Sequence, residues 1–197
     1  MQQHNLDTYL EVRDKMRTGD EITFAGDDLV GRIIRLATKR SHVAKVIRLY
    51  DYDVNEKRVY ILEAHGIHGI SLHLLSERLK EYNGKAWWQP LRPEFEPVRK
   101  HIGAWSFMQL GKKYDVIGLF KNALSRVSEG LRALFCSEFC WMATRKGTEN
   151  AARDGVEGAR DLVAWTLKDW AKIGKKAAWP GDFHEFYNTY DAEIRLI

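Results

Sequence analysis

Two cysteines, the only ones in the chain, are the clearest candidates for covalent chemistry. Cys136 and Cys140 lie four residues apart in an apolar segment, a spacing that places both on one helix face without favouring a disulfide. We expect Cys136 in the first turn of this helix, where unpaired amide groups and the helix dipole stabilise a thiolate. Cys140, one turn deeper between two aromatic residues, is expected to be a buried thiol. The alternative for Cys136 is a small core residue packed under Trp141.

A cysteine nucleophile requires a general base, and the chain has seven histidines. His42 follows Ser41 at the start of an apolar segment, a position from which its ring could reach a helix packed across the same sheet. Spacing alone leaves five histidines open as the base: His42, His65, His68, His73 and His101.

A carboxylate is needed to orient such a base and to fix its tautomer. Glu63 interrupts the apolar run 59–62, where a charged group is costly unless it is paired. If 42–49 and 58–64 form a hairpin, the start of one strand lies near the end of the other. His42 and Glu63 are therefore predicted neighbours, although a salt bridge on an edge strand would explain Glu63 equally well.

The elements that must position these residues are strands in the first half of the chain and helices in the second. Strands are expected at 21–24, 42–49, 58–64, 70–74, 86–89 and near 192–197, and helices at 6–17, 29–37, 76–82, 95–109, 115–125, 136–146 and 162–173. Small and polar residues at 147–158 predict a loop. Separate strand-rich and helix-rich regions predict one α+β domain over residues 1–197, with a small antiparallel sheet packed against helices.

Composition and charge exclude several classes of function. With 197 residues, of which 45% are hydrophobic, the chain can bury one sizeable core. The net charge of +4 is spread without a single-sign run, so no nucleic-acid partner is expected. No signal peptide or membrane span is evident, so we expect a cytoplasmic protein without stable membrane insertion. No paired Cys-x-x-Cys spacing is present, and neither a metal nor a cofactor is expected.

Several short motifs, taken in order, resemble the YiiX-like permuted papain-fold enzymes of the NlpC-type superfamily. They are Gly19-Asp20-Glu21-Ile22, Ser41-His42-Val43, Ile61-Leu62-Glu63-Ala64, Lys113-Tyr114-Asp115, Cys136-Ser137-Glu138 and the later turn Pro180-Gly181-Asp182. The resemblance implies a circularly permuted papain-like fold in which the histidine precedes the cysteine in the chain. It implies Cys136 as the nucleophile, His42 as the general base and Glu63 as the orienting residue, with Tyr114 and Asp115 at a helix start and pocket wall.

The predicted function is hydrolysis of an amide bond by a cysteine thiolate. The backbone amide of Cys136 is the expected first oxyanion donor. A short peptide, a cell-wall peptide or an aminoacyl amide is the expected substrate. One alternative is lipid acyl transfer or phospholipid hydrolysis, because the resemblance extends to relatives of lecithin retinol acyltransferase. The other is a non-catalytic binding module on the same fold; the oligomeric state is not indicated.

A lipid enzyme would need an apolar surface or an amphipathic entry helix. The helix at 162–173 is the only candidate in the sequence. Its Trp165 and Trp170 are more readily explained by packing. An amide-containing substrate is therefore preferred to a bilayer lipid.

Overall fold

The computed structural model describes residues 6–26, 40–49, 57–65, 69–112, 130–173 and 182–197. Its strands are β1 (Glu21–Gly26), β2 (His42–Ile47), β3 (Tyr60–His65), β4 (Gly69–Leu74), β5 (Gly84–Gln89) and β6 (Ile194–Arg195). Its helices are α1 (Asp7–Val12), α2 (Leu75–Glu81), α3 (Arg99–Phe107), α4 (Gly130–Arg153) and α5 (Ala159–Ile173). Short 3-10 helices occupy Arg13–Lys15, Pro93–Val98 and Asp182–Glu185. The helices predicted at 29–37 and 115–125, together with Tyr114 and Asp115, lie outside the described residues.

The six strands form one antiparallel sheet in the order β4-β3-β2-β1-β5-β6. The predicted hairpin is confirmed, because β2 pairs with β3 in a register that sets Lys45 opposite Leu62. Every residue of β1 is buried, as expected for a central strand that is covered on both faces. The predicted α+β class, with an antiparallel sheet packed against helices, is confirmed.

Alternating side chains of the sheet contribute to two separate hydrophobic clusters. In β2, Val43 and Ile47 belong to the cluster that contains residues of α4 and α5. Ala44 and Val46 belong to the second cluster, which contains residues of α1 and α2. The long helix α4 packs against β2, β3, α3 and α5. The hairpin is thus held between α4 on one face and the α1–α2 pair on the other.

Helix α4 continues to Arg153, so the predicted loop at 147–158 is wrong for its first part. Gly147 lies against α3, where an added Cβ would come within 2.4 Å of Ile102 Cα. Glycine at this position permits close helix packing and does not mark a chain reversal. The helix is also stabilised by an ion pair one turn apart, between Arg145 Nε and Glu149 Oε1 at 2.8 Å.

The first motif, Gly19-Asp20, has a structural explanation. Gly19 has a φ of 95°, and a Cβ there would lie 2.6 Å from Leu91 Cδ1. The buried Asp20 carboxylate accepts hydrogen bonds from Arg99 Nη1 at 2.7 Å, Trp88 Nε1 at 2.9 Å and the Leu91 amide at 2.9 Å. These bonds tie the start of β1 to β5 and to the segment that follows it.

A buried ion pair joins the sheet to α4 and to the C-terminal segment. Lys45 Nζ lies 2.5 Å from Glu21 Oε1 and donates to Thr144 Oγ1 at 2.8 Å and Tyr190 Oη at 3.0 Å. All four residues are buried. Burial raises the pKa of Glu21, and the charge of Lys45 opposes that rise. The charged residue in the middle of β2 is therefore a cross-link between elements that are distant in sequence.

Candidate active site

Three side chains predicted from the sequence meet at the open end of the β2–β3 hairpin. His42 is the first residue of β2, and its Nε2 atom lies 3.1 Å from Glu63 Oε2. The same ring is hydrogen bonded to Cys136 of α4. Cys136 and Glu63 are fully buried, whereas the His42 side chain is 15% exposed. Thiol, imidazole and carboxylate therefore form one connected chain in which His42 contacts solvent.

The register of the hairpin explains the contact between the histidine and the carboxylate. Lys45 pairs with Leu62, so continuing the register sets Glu63 diagonally across from His42 on the same face. Diagonal neighbours on adjacent strands lie within reach of long side chains. A shift of the register by one residue would move Glu63 to the other face and break the contact.

The protonation of His42 is governed by its two acidic neighbours. Burial by itself disfavours the charged ring and lowers its pKa. The negative charge of Cys136 and the hydrogen bond to it, together with the hydrogen bond and charge of Glu63, overcome this and raise the pKa of His42 from 6.5 to about 10. With this pKa, the ring carries a proton at neutral pH.

Arg78 of α2 is a fourth member of the site that sequence reasoning missed. Its Nε atom donates to Glu63 Oε1 at 2.9 Å and lies 3.3 Å from Oε2. One buried carboxylate thus faces two cationic side chains, Arg78 and His42. The signal that could have found Arg78 is electrostatic, because a carboxylate with no exposed surface needs close cationic partners.

Aromatic and hydroxyl groups fix the position of the histidine. The Phe24 ring, directly opposite in β1, lies 5.8 Å from the His42 ring and 4.8 Å from the Tyr82 ring. Ser41 Oγ accepts a hydrogen bond from the Gly26 amide at 2.9 Å and lies 3.2 Å from Tyr82 Oη. Because these two contacts hold Ser41 in place, the backbone position of His42 at the start of β2 is fixed as well.

The structure also distinguishes among the candidate histidine bases, which residue spacing alone could not do. The His73 ring lies 2.8 Å from a serine hydroxyl in its own strand, and His101 Nε2 lies 3.2 Å from an aspartate at the end of α4. The side chains of two further candidates are outside the described residues: His65 and His68. His42 is thus the described histidine that contacts Cys136.

Cys136 does not lie in the first turn of a helix, and that prediction is wrong. Helix α4 already includes Gly130, and counting from that residue Cys136 is the seventh. The residues between them, 131–135, are mostly good helix formers and extend the helix toward its N-terminus. An amide in a helix interior donates to the carbonyl four residues earlier, so the Cys136 amide is not available as an oxyanion donor. The stabilisation of a thiolate by the helix dipole, which was expected for a first-turn position, therefore does not apply to Cys136.

Cys140 differs from Cys136 in its surroundings, as predicted. It is fully buried, and burial followed by the nearby charge of Glu21 raises the pKa of its thiol well above the usual value. A thiol with a raised pKa is a poor nucleophile. The two cysteines, one helical turn apart, therefore make a natural pair for comparison.

Comparison with known proteins identifies the fold. No protein-family model matches the chain, and no curated protein matches it. A solved structure, metalloprotein yiiX from Escherichia coli O157:H7 (DUF1105), resembles it with a TM-score of 0.52 and 18% sequence identity. The match covers 92% of this chain and 96% of that one. The YiiX-like fold predicted from the motifs is confirmed over nearly the whole length of both chains.

Among the helices in the described segments, none combines the length and the apolar character that crossing a membrane requires.

Proposed function

We propose that this chain is a cysteine hydrolase of amide bonds, built on a circularly permuted papain-like fold of the NlpC type. The observation that carries the proposal is the His42 ring, hydrogen bonded to Cys136 on one side and 3.1 Å from the buried Glu63 carboxylate on the other. Nucleophile, base and orienting group in contact are the arrangement that covalent acyl transfer requires. With Nε2 facing Glu63, the proposal assigns Nδ1 to the thiol.

In the proposed acylation step, Cys136 Sγ forms a bond to the substrate carbonyl carbon. The carbon–nitrogen bond then breaks, and the proton on His42 passes to the leaving amine. In deacylation, His42 takes a proton from water as the water oxygen attacks the acyl carbon. The carbon–sulfur bond breaks, and the imidazolium and thiolate are restored. Glu63 orients the ring in both steps and stabilises it whenever it is protonated. The donors to the oxyanion come from groups other than the Cys136 amide.

We propose a short peptide, a cell-wall peptide or an aminoacyl amide as the substrate. Support comes from the exposure of the site, because Cys136 is fully buried and the neighbouring His42 is mostly buried. A slender acyl group with its carbonyl at one end fits such a site better than a bulky one. The whole chain, residues 1–197, would act as one catalytic domain, since β2, β3 and α4 each supply one of the three groups.

The solved structure that shares the fold is described as a metalloprotein, which raises the question of a metal in this chain. In the described segments, no group of three or more histidine, cysteine, aspartate or glutamate residues is arranged to hold a metal ion. Because these side chains do not supply a fitting set of metal ligands, no step of the proposed reaction uses a metal ion.

One observation favours a second candidate, a non-catalytic binding module. Cys136 belongs to the hydrophobic cluster that also includes Phe139 and Trp141, and it has no exposed surface. A small core thiol would be found in the same surroundings. The charged contact with His42 favours the hydrolase, since an apolar core position has no need of an imidazole with a raised pKa.

The test of the proposal is a substrate panel with variants of both cysteines. Wild-type protein, Cys136→Ser, Cys140→Ser and His42→Gln would be assayed against fluorogenic aminoacyl and dipeptide amides, a cell-wall peptide and phospholipid vesicles. We expect amine release by wild-type protein and Cys140→Ser, and losses of at least about a hundredfold in the other two variants. Cys140→Ser is the matched control, because it makes the same atomic change one helical turn away.

The other outcomes of this panel are equally specific. Phospholipid turnover with strong vesicle binding and no amide cleavage would replace the proposal by a lipid acyl-transfer enzyme. No turnover of any substrate, together with equal alkylation of Cys136 and Cys140, would favour the binding module.

A further inference from the structure

A cavity of about 640 Å³ lies away from the three groups of the candidate active site. Its walls are formed by α1, by the segment leading into β3, and by the end of β4 with α2. Neither Cys136, His42 nor Glu63 lines it. The volume falls in the range of about 300–1,000 Å³ that small-molecule sites occupy in proteins.

The charge of this cavity is strongly asymmetric. Four cationic side chains line it, namely Arg13, Lys57, Arg58 and Lys80, against one carboxylate, that of Glu77. Lys80 Nζ lies 3.0 Å from Glu77 Oε1, and Arg13 Nε lies 3.7 Å from Asp14 Oδ1 just outside the lining. The lining residues alone carry a net charge of +3, which the neighbouring Asp14 reduces to +2. An anionic group entering the cavity would be attracted by this field.

The same cavity also has an apolar wall. Leu6, Leu10 and Leu74 line it, and Leu10 is 51% exposed. An apolar ligand portion that covered Leu10 would remove this surface from water. The cavity thus combines an apolar wall with cationic groups, the two features that a ligand with an anionic head and an apolar portion would use.

We propose that this cavity binds a small ligand in which a phosphate or carboxylate group is joined to a short aliphatic chain. The cationic side chains hold the anion, and the leucine side chains cover the aliphatic portion. This site is separate from the Cys136–His42–Glu63 chain. The inference does not depend on the proposed hydrolase activity, so either can fail without the other.

The test uses hexyl phosphate as the probe and calorimetric titration of the full chain. Inorganic phosphate lacks the apolar portion and hexanol lacks the charge, and we expect both to bind more weakly than hexyl phosphate. The double variant Lys57→Glu/Lys80→Glu should weaken hexyl phosphate binding by about tenfold or more. Lys85→Glu/Lys168→Glu is the matched control, because it makes the same change of net charge at two exposed lysines that do not line the cavity.

A second variant tests the apolar wall separately. Leu10→Ser replaces a half-exposed side chain, so the fold should be kept. It should weaken the binding of hexyl phosphate and leave the binding of inorganic phosphate unchanged. Vesicles that contain phosphatidylglycerol form the other arm. Binding to them that requires Lys57 and Lys80 would identify a lipid headgroup as the source of the anion, and binding of hexyl phosphate alone would identify a free small molecule.

Three results would overturn the proposal. Absence of hexyl phosphate binding to wild-type protein, or equal weakening in the two double variants, would show that the cavity has no specific affinity for the anion. Protection of Cys136 from iodoacetamide by hexyl phosphate, with full affinity retained in Lys57→Glu/Lys80→Glu, would place the ligand at the candidate active site.

Discussion

The pKa of His42 offers the sharpest test of the site, because each contribution to it can be removed separately. Cys136 and Glu63 both raise this pKa against the effect of burial, and the contribution of Cys136 is the larger. Cys136→Ser and Glu63→Gln keep the size of the side chain and remove its charge. We therefore expect the pKa of His42 to fall in both variants, and to fall further in Cys136→Ser.

The magnitude follows from the contacts. An opposite charge within about 4–6 Å changes a pKa by about 1–3. Glu63 lies 3.1 Å from the ring but is also hydrogen bonded to Arg78, so we place its share in the lower half of that range. Glu63→Gln should lower the pKa of His42 from about 10 by about 1–2, which corresponds to about 1.4–2.7 kcal/mol. In the double variant both acidic neighbours are removed while burial still disfavours the charged ring, so the pKa of His42 should lie below the ordinary 6.5.

The pH dependence of activity should follow the protonation of His42. A raised pKa keeps the ring protonated at neutral pH, and the proton is lost as the pH rises through about 10. In the proposed reaction, loss of this proton removes the acid that protonates the leaving amine. The basic limb of kcat/KM should therefore lie near pH 10 in wild-type protein and at lower pH in Glu63→Gln.

The measurement is an NMR titration of the histidine ring protons between pH 5 and 11, with the His42 signals assigned by their loss in His42→Gln. Glu149→Gln, which removes a carboxylate on α4 that is paired with Arg145, is the control and should leave the His42 titration unchanged. A His42 pKa that stayed near 10 in Cys136→Ser would refute the electrostatic account of the site. A larger effect of Glu63→Gln than of Cys136→Ser would reverse the assigned order of the two contributions.

Three further predictions concern reactivity and stability. Iodoacetamide at neutral pH should modify Cys136 well before Cys140, and peptide mass spectrometry showing equal rates would argue for two ordinary buried thiols. Arg78→Met should lower the free energy of unfolding by about 1–3 kcal/mol, because it leaves the buried Glu63 carboxylate with one cation fewer. Arg92→Met, which removes an exposed ion pair, should lower it by less than about 1 kcal/mol, and urea denaturation at pH 7 compares the two variants. Lys45→Met should cost about 3–5 kcal/mol by the same method, and a cost near zero would contradict the role given to the buried ion pair.

The contact between His42 and Glu63 was predictable because it joins two strands that are consecutive in the chain. The two strands are consecutive, and a hairpin brings the start of one to the end of the other whatever the rest of the chain does. A charged residue inside the apolar run of β3 then indicated which side chain needed a partner. The contact between His42 and Cys136 was not predictable from spacing, because α4 follows β2 by many residues. It came from the resemblance of the motifs to a known family.

Two of the errors concern where helix α4 begins and ends, and the third concerns the partner of a buried carboxylate. Gly147 suggested a loop by composition, but its lack of a side chain is what lets α4 approach Ile102 of α3. The start of α4 lies before Cys136, so the activation expected from a helix terminus does not apply. Arg78 was missed because nothing in the sequence of its short helix shows that it packs over the buried carboxylate of Glu63.

Strand β2 carries two cationic residues, Lys45 and His42, and the contrast between them supports the proposed active site. Lys45 is fully buried, and its charge is satisfied by Glu21 and by hydroxyl groups that are themselves buried. Such an enclosed pair holds elements together and has no surface at which a substrate could meet it. His42, three residues earlier at the start of the strand, is paired with an equally buried carboxylate yet keeps 15% of its side chain exposed and contacts a thiol. Burying a charge is costly in both places, and the histidine adds contact with solvent and a potential nucleophile, which a purely structural pair would not need.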